Sequence, residues 1–364
     1  MKQTLLISLL AVAACGAPSP GRGDAGVDAG GDAGPGDAGP DVPDASVVPF
    51  VWPSLDGGSA CVVPANPTLL SQTCLYLDVK ARTLRPEVVT YEPAHALWAD
   101  QADKDRYVVL PEGGRIDTSD MDHWQFPVGT LFFKNFGLGG KLLETRLLRR
   151  TGPKAGDFQL LGFVWRADGS DADVSINGQN DVQGTAHDVP SQKTCGKCHD
   201  GEPGKVLGFS AIQLSHQKAG PTLRTLAPSG KLTAPPPPGV DYPAPGNATE
   251  AAALGYLHAN CGHCHNPLGG EAYLLVDLEL RLAVAERTPA ASAAVQTAVG
   301  KKTSALLNRQ AQYRITKGQP DQSDLYLRMG LRSTAFPPPQ MPPYASEEVD
   351  PTGRAAIAAW ISAL

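Results

Sequence analysis

Apolar and β-branched residues in the first half of the chain come in short runs cut by turn signals. Tyr107-Val108-Val109-Leu110 stops at Pro111 and the Gly113-Gly114 pair. Thr130-Leu131-Phe132-Phe133 precedes the glycines between 137 and 140. Leu142 to Leu148 ends near Gly152-Pro153, Phe158 to Trp165 ends at Asp168-Gly169, and Ala172 to Ile176 follows. None of these runs keeps a helical period over a useful length. Short runs at this spacing predict strands of an antiparallel, sandwich-like domain over residues 49–190. Trp98, Trp124 and Trp165 fall in this region and are expected in its core rather than along a ligand groove.

The pattern changes beyond Ser191, where Pro and Gly alternate with short helical pieces. Pro235 to Pro238, followed by Pro243 and Pro245, reads as a stiff connector. Thr249 to Asn260 predicts a helix, with Thr249 as cap and Leu254 and Leu257 on one face. Asp350 to Leu364 predicts another. Asp350 caps it, Pro351 suits the first turn, and Ile357, Trp360, Ile361 and Leu364 make one apolar stripe. Met329 sits in a shorter expected helix after Ser323. The fold class is therefore multidomain α+β: a β-rich domain, then two mainly helical segments, 191–245 and 246–364.

Residues 1–48 do not belong to this core. Lys2 followed by the apolar run Leu5 to Ala13 reads as a signal peptide over residues 1–14, since the run is too short to span a bilayer. Val12-Ala13-Ala14-Cys15 resembles the lipobox of bacterial lipoproteins, which implies cleavage before Cys15 and acylation of that cysteine. Gly16 in the next position favours the outer membrane, facing the periplasm or the cell surface. Residues 15–48 repeat Gly-Asp-Ala-Gly and Asp-Ala-Gly-Pro, cannot bury a core, and read as an acidic tether. Six Asp and one Arg in this tether carry nearly all of the formal charge of −6. The remaining body is close to neutral and has no basic stripe, so nucleic acid is not an expected partner.

Seven cysteines remain to be assigned. Cys15 takes lipid. Cys61 and Cys74, close in sequence and exported to an oxidising compartment, are expected to form a local disulfide. The other four lie in Cys195-Gly196-Lys197-Cys198-His199 and Cys261-Gly262-His263-Cys264-His265. Both are Cys-x-x-Cys-His, the attachment pattern of c-type haem. Two thiols three residues apart reach the two vinyl groups of one ring, and the following imidazole sits under the iron. A zinc site built from both Cys pairs is the main competitor, but it gives no reason for a His after each pair. A thioredoxin-like motif lacks its βαβ context. Two covalently attached haem c groups are the expected cofactors.

The second motif resembles the class I cytochrome c arrangement. A helix leads into the attachment site, and Pro337-Pro338-Pro339-Gln340-Met341-Pro342-Pro343 and a terminal helix follow downstream. The resemblance implies His265 as proximal and Met341 as distal ligand, with thioether ligation raising the potential. For the first haem His199 is proximal. The sixth position is left open among His216, His258, Met329, Met121, His123 and no protein ligand at all. The body from about Tyr91 to Leu364 also resembles a bacterial family of diheme c-type cytochromes, many of them exported lipoproteins. The matching segments include Leu97-Trp98-Ala99-Asp100, Phe126-Pro127-Val128-Gly129-Thr130, Glu144-Thr145-Arg146-Leu147-Leu148, Val206-Leu207-Gly208-Phe209 and Asn260 to Pro267. The chain departs from that family around His216 and between Ala290 and Thr297.

These features imply a membrane-anchored electron carrier whose partners are redox proteins, with no evident small-molecule substrate. Two other functions stay open. One is a haem redox enzyme, peroxidase-like or the haem part of a dehydrogenase, with an open first haem. The other is a surface binding module with structural haems. No catalytic triad, phosphate loop or paired-carboxylate motif is present.

Overall fold

The apolar runs of the first half line up side by side as one six-stranded sheet. The computed structural model describes residues 49–54, 60–269, 271–304, 310–333, 339–344 and 346–364. The expected signal peptide, Cys15 and the whole of the expected tether, residues 1–48, lie outside them. Among the described residues the strands are β1 Phe50–Val51, β2 Val62–Val63, β3 Tyr76–Asp78, β4 Thr83–Leu84, β5 Val89–Thr90, β6 Asp103–Val109, β7 Leu131–Leu138, β8 Lys141–Arg150, β9 Phe158–Trp165 and β10 Ala172–Val174. Strands β5 to β10 pair antiparallel in chain order, while β1–β2 and β3–β4 are separate two-stranded ribbons.

Side chains alternate between the faces of a strand, and here both faces are covered. Tyr107, Val109, Leu131, Phe133, Leu147, Leu161, Phe163 and Trp165 join Trp52, Val63, Leu70 and Leu75 on one side. Val108, Phe132 and Leu148 join Tyr91, Trp124, Phe126, Phe209 and Leu214 on the other. Trp124 and Trp165 are thus core residues. The expected sandwich differs in its second layer. The two ribbons cover the first face and the chain around Val206 to Leu232 covers the second, because β1 to β4 are too short to build a second ladder. Cys61 and Cys74 form a disulfide that ties the β1–β2 ribbon to the turn Leu70–Thr73.

The helices are α1 Gln192–His199, α2 Leu223–Leu226, α3 Ala248–Asn260, α4 Glu271–Val276, α5 Ala293–Ala298, α6 Asp324–Met329 and α7 Pro351–Ala363. Asn247, not Thr249, caps α3. Its carboxamide oxygen accepts from the N–H groups of Thr249 and Glu250, and Glu250 reaches back to the Asn247 N–H. This reciprocal box satisfies donors that Thr249, one residue inside the helix, cannot reach. Asp350 caps α7 through the Gly353 N–H, with Pro351 in the first turn. Helices α3 and α7 cross where the Tyr256 ring lies on Gly353, so close that a Cβ there would overlap the ring. Leu254, Leu257, Met329, Ile357, Trp360 and Ile361 fill the core around the crossing.

Loops of the β-rich region interlock with the helical region. Asn260 at the end of α3 accepts from the Trp98 N–H at 2.7 Å and donates to the Ala96 carbonyl at 3.1 Å. Asp100 accepts from the N–H groups of Glu347 and Glu348. No helix among the described residues is long and apolar enough to cross a membrane.

Candidate functional site

The first motif is held by a short capped helix. The Ser191 hydroxyl accepts from the Thr194 N–H and starts α1, which carries Cys195 and Cys198 three residues apart and therefore on neighbouring positions of one face. The His199 ring follows. Its Nδ1–H donates to the Lys205 carbonyl at 2.6 Å. A carbonyl can only accept, so the proton is on Nδ1 and Nε2 keeps its lone pair, the arrangement that orients a metal-ligating imidazole. Burial, with Lys134 and Arg146 close by, pulls this His down to about 3, so the ring is neutral.

The second motif begins where α3 ends. The N–H groups of Cys264 and His265 both turn back to the Cys261 carbonyl, forming a tight loop directly after the helix. The Nδ1 atoms of His263 and His265 are buried without a hydrogen-bond partner. Burial, helped by His263, Arg314 and Arg328, lowers His265 to about 4 and keeps it neutral. A buried, unpaired ring nitrogen is costly unless something else uses it.

The two motifs, 66 residues apart in sequence, meet. The ligand atoms of Cys198, His263 and Cys264 lie within 4.8 Å of one another. The Cys264 thiol donates to the Lys197 carbonyl at 3.3 Å and lies beside the Cys198 thiol; this neighbour lowers the Cys198 thiol, with help from His263, and raises that of Cys264. Gly201, just past α1, makes the approach possible, since any Cβ there would run into the His263 carbonyl. Arg281 fastens the loops. It pairs with Glu202 at 2.5 Å and donates to the Asp122 carbonyl at 2.6 Å. None of the four motif cysteines is in a disulfide.

A small cleft opens beside the first motif. Cys195 and His199 line it with Tyr91, Phe132, Leu148, Leu160, Val206 and Leu207, and with the cations Lys134 and Arg146. A second small cleft shares Lys134 and Leu207 and adds His95, Lys104, Arg106 and Ala259. The donor set fits a covalently attached haem: free thiols in the right spacing, neutral imidazoles with an uncommitted nitrogen, and an apolar cleft beside the first pair. It fits a four-cysteine zinc site less well, because Cys195 and Cys261 stand outside the Cys198–His263–Cys264 cluster.

Of the candidate sixth ligands for the first haem, none lines the cleft beside His199. His216 donates from Nε2 to the Glu92 carbonyl and accepts at Nδ1 from the Lys218 N–H, which occupies both nitrogens. His258 accepts at Nδ1 from the Leu282 N–H and so carries its proton on Nε2. His123 contacts Glu202 at 3.3 Å. Met329 is buried in the core around α3 and α7, and Met121 packs beside the Tyr91–Trp124 cluster. Met341 is half-buried, with its N–H bonded to the Arg328 carbonyl at 3.0 Å; residues 334–338 of its proline-rich loop lie outside the described ones. Sequence reasoning missed His95, whose ring lies on Gly255 of α3, as well as Tyr91, Lys134 and Arg146. The one signal for the last two is a cation inside an otherwise apolar strand run.

No family model, curated protein or solved structure matches the chain.

Proposed function

We propose that the chain is a membrane-anchored diheme c-type cytochrome that carries electrons outside the cytoplasm. The observation that carries this reading is the meeting of Cys198 with His263 and Cys264. Rings attached through neighbouring sulfurs are themselves neighbours, and electrons pass readily between them. Each haem, when bound, supplies an iron that takes up and gives back one electron.

The chain's own residues do the rest. Cys195 and Cys198 bind the first ring and Cys261 and Cys264 the second. His199 and His265 present neutral imidazoles as proximal ligands. The Lys205 carbonyl fixes the His199 tautomer, and the apolar walls of the first cleft exclude water. Met341 is the distal ligand of the second haem, and the crossing of α3 with α7 supports the likeness to class I cytochromes c. Export, acylation of Cys15 and the acidic tether hold this relay beside a membrane, where redox proteins give and receive its electrons.

The test is an absorption and EPR spectrum of the matured protein, oxidised and reduced, with haem content by pyridine haemochrome. Two low-spin haems per chain are the expected result. A high-spin first haem that binds peroxide or carbon monoxide supports a redox enzyme instead. A protein without a Soret band that holds zinc overturns the haem reading. That zinc reading has one specific support, the Cys198–His263–Cys264 cluster, which offers three of the four donors a structural zinc takes.

A further inference from the structure

We propose that Arg106, Lys134 and Arg146 form a seat for carboxylates, occupied by the propionates of the haem carried on Cys195 and Cys198. The inference rests on the haem reading above. Three adjacent strands place these residues directly opposite one another: Arg106 faces Lys134 across β6–β7, and Lys134 faces Arg146 across β7–β8. Paired positions on antiparallel strands share a face with Cβ atoms about 5 Å apart, and like charges there are destabilising. Here the row is interior. Arg106 is buried and the other two are half-buried along the clefts.

The local partners do not balance the row. Arg146 donates to both carboxylate oxygens of Glu144, at 2.5 and 2.8 Å, but Glu144 also receives His187 at 2.9 Å. Lys134 donates to the Leu207 carbonyl at 3.1 Å, and Arg106 to the Lys104 carbonyl at 3.2 Å, both neutral acceptors. Lys104, on the same face, bonds to the Leu97 carbonyl and rests over the Phe136 ring. Among the described residues lining the two clefts there is no Asp or Glu. Tyr91 points to the same need independently: its hydroxyl is buried without a partner, and Tyr91 lines the first cleft. The site offers donors and positive charge and lacks an anionic acceptor. A carboxylate satisfies both, and guanidinium groups receive it in a matched fork. Because Cys195 and His199 line the same cleft, the haem attached there brings two carboxylates to it.

The experiment uses the mature full-length protein and the variants Lys134→Met, Arg106→Gln and Lys134→Arg. The first two each remove one charge and its repulsion from the row while keeping an unbranched stem, so the sheet is retained. Haem content is measured first; a wild type with fewer than two haems overturns the haem reading itself. With two haems present, resonance Raman spectra and a redox titration follow. The expected result is a shift of the propionate bending bands and a lower midpoint potential for one haem in Lys134→Met and Arg106→Gln. Lys134→Arg restores both, and the other haem does not change. Unchanged propionate bands in both neutral variants overturn the proposal. So does a wild type whose bands move on adding acetate, which places a free carboxylate in the seat.

Discussion

The His199 ring donates its Nδ1 hydrogen to the carbonyl of Lys205, six residues later and 2.6 Å away. That carbonyl is aimed by an unusual backbone, since Lys205 has φ +55°. A left-handed conformation costs about 1–2 kcal/mol for a residue with a Cβ and more for a β-branched one. Lys205→Gly is expected to keep the His199 bond and leave stability equal or higher. Lys205→Val is expected to lower stability by roughly 1–2 kcal/mol and, on the proposed haem reading, to broaden the spectrum of the first haem, as the His199 ring loses a fixed orientation. Chemical denaturation and EPR linewidth check the pair.

Gly201 controls how closely the two motifs approach, because a Cβ there would overlap the His263 carbonyl. Backbone cannot yield as a flexible side chain can. Gly201→Ala is therefore expected to push the loop after α1 away from the second motif, lowering stability by roughly 2 kcal/mol, within the range of strained core substitutions. On the proposed diheme reading, the spectroscopic coupling between the two haems is expected to weaken. Unchanged coupling at full haem content would separate Gly201 from the contact between the motifs.

The strands were legible because their periodicity is local: the runs ending near Leu110, Leu148 and Trp165 each became a ladder strand of the six-stranded sheet. The α7 cap was legible for the same reason, whereas two cap-type residues, Asn247 and Thr249, competed at the start of α3 and the chain used the earlier one. At the candidate site the sequence displays the two Cys-x-x-Cys-His motifs but not that they meet. What commits His216 is the Glu92 carbonyl, 124 positions away, and no spacing rule reaches that far. The meeting of Cys198 with Cys264 depends on the turn at Gly201, and the cationic row depends on the register of three strands. Each strand by itself displays only one or two cations in an apolar run.

His258 gives the fold a defined acid sensitivity. Its Nδ1 accepts from the Leu282 N–H, so the ring must be neutral. Burial, with Arg281, His95 and His263 nearby, lowers its pKa from 6.5 to about 3. The unfolded chain therefore takes up the proton first as the pH falls. The stability from the neutral ring is complete above about 6.5 and is lost progressively between there and about 3. Denaturant titrations across this window are expected to show a falling midpoint, and His258→Gln is expected to flatten the slope. An imidazole NMR signal for His258 that titrates near 6.5 in the folded protein would contradict the assignment.

The proposed role of Met341 as distal ligand of a second haem is testable through the potential. Met341 is anchored next to α6 by its N–H bond to the Arg328 carbonyl and sits between Gln340 and Pro342, which fixes its backbone. A thioether donates less charge to iron than an imidazole and favours the reduced state. Met341→His is therefore expected to lower the midpoint potential of one haem and remove the weak near-infrared band of Met–iron ligation, without changing haem content. Met329→Leu serves as the contrast. Met329 packs among Leu254, Ile357 and Trp360 in the core, and a volume-conserving swap there costs less than about 1.5 kcal/mol and is expected to leave both potentials where they are. Loss of the band in the Met329 variant and its survival in the Met341 variant would transfer the ligand role from the loop to the helix core.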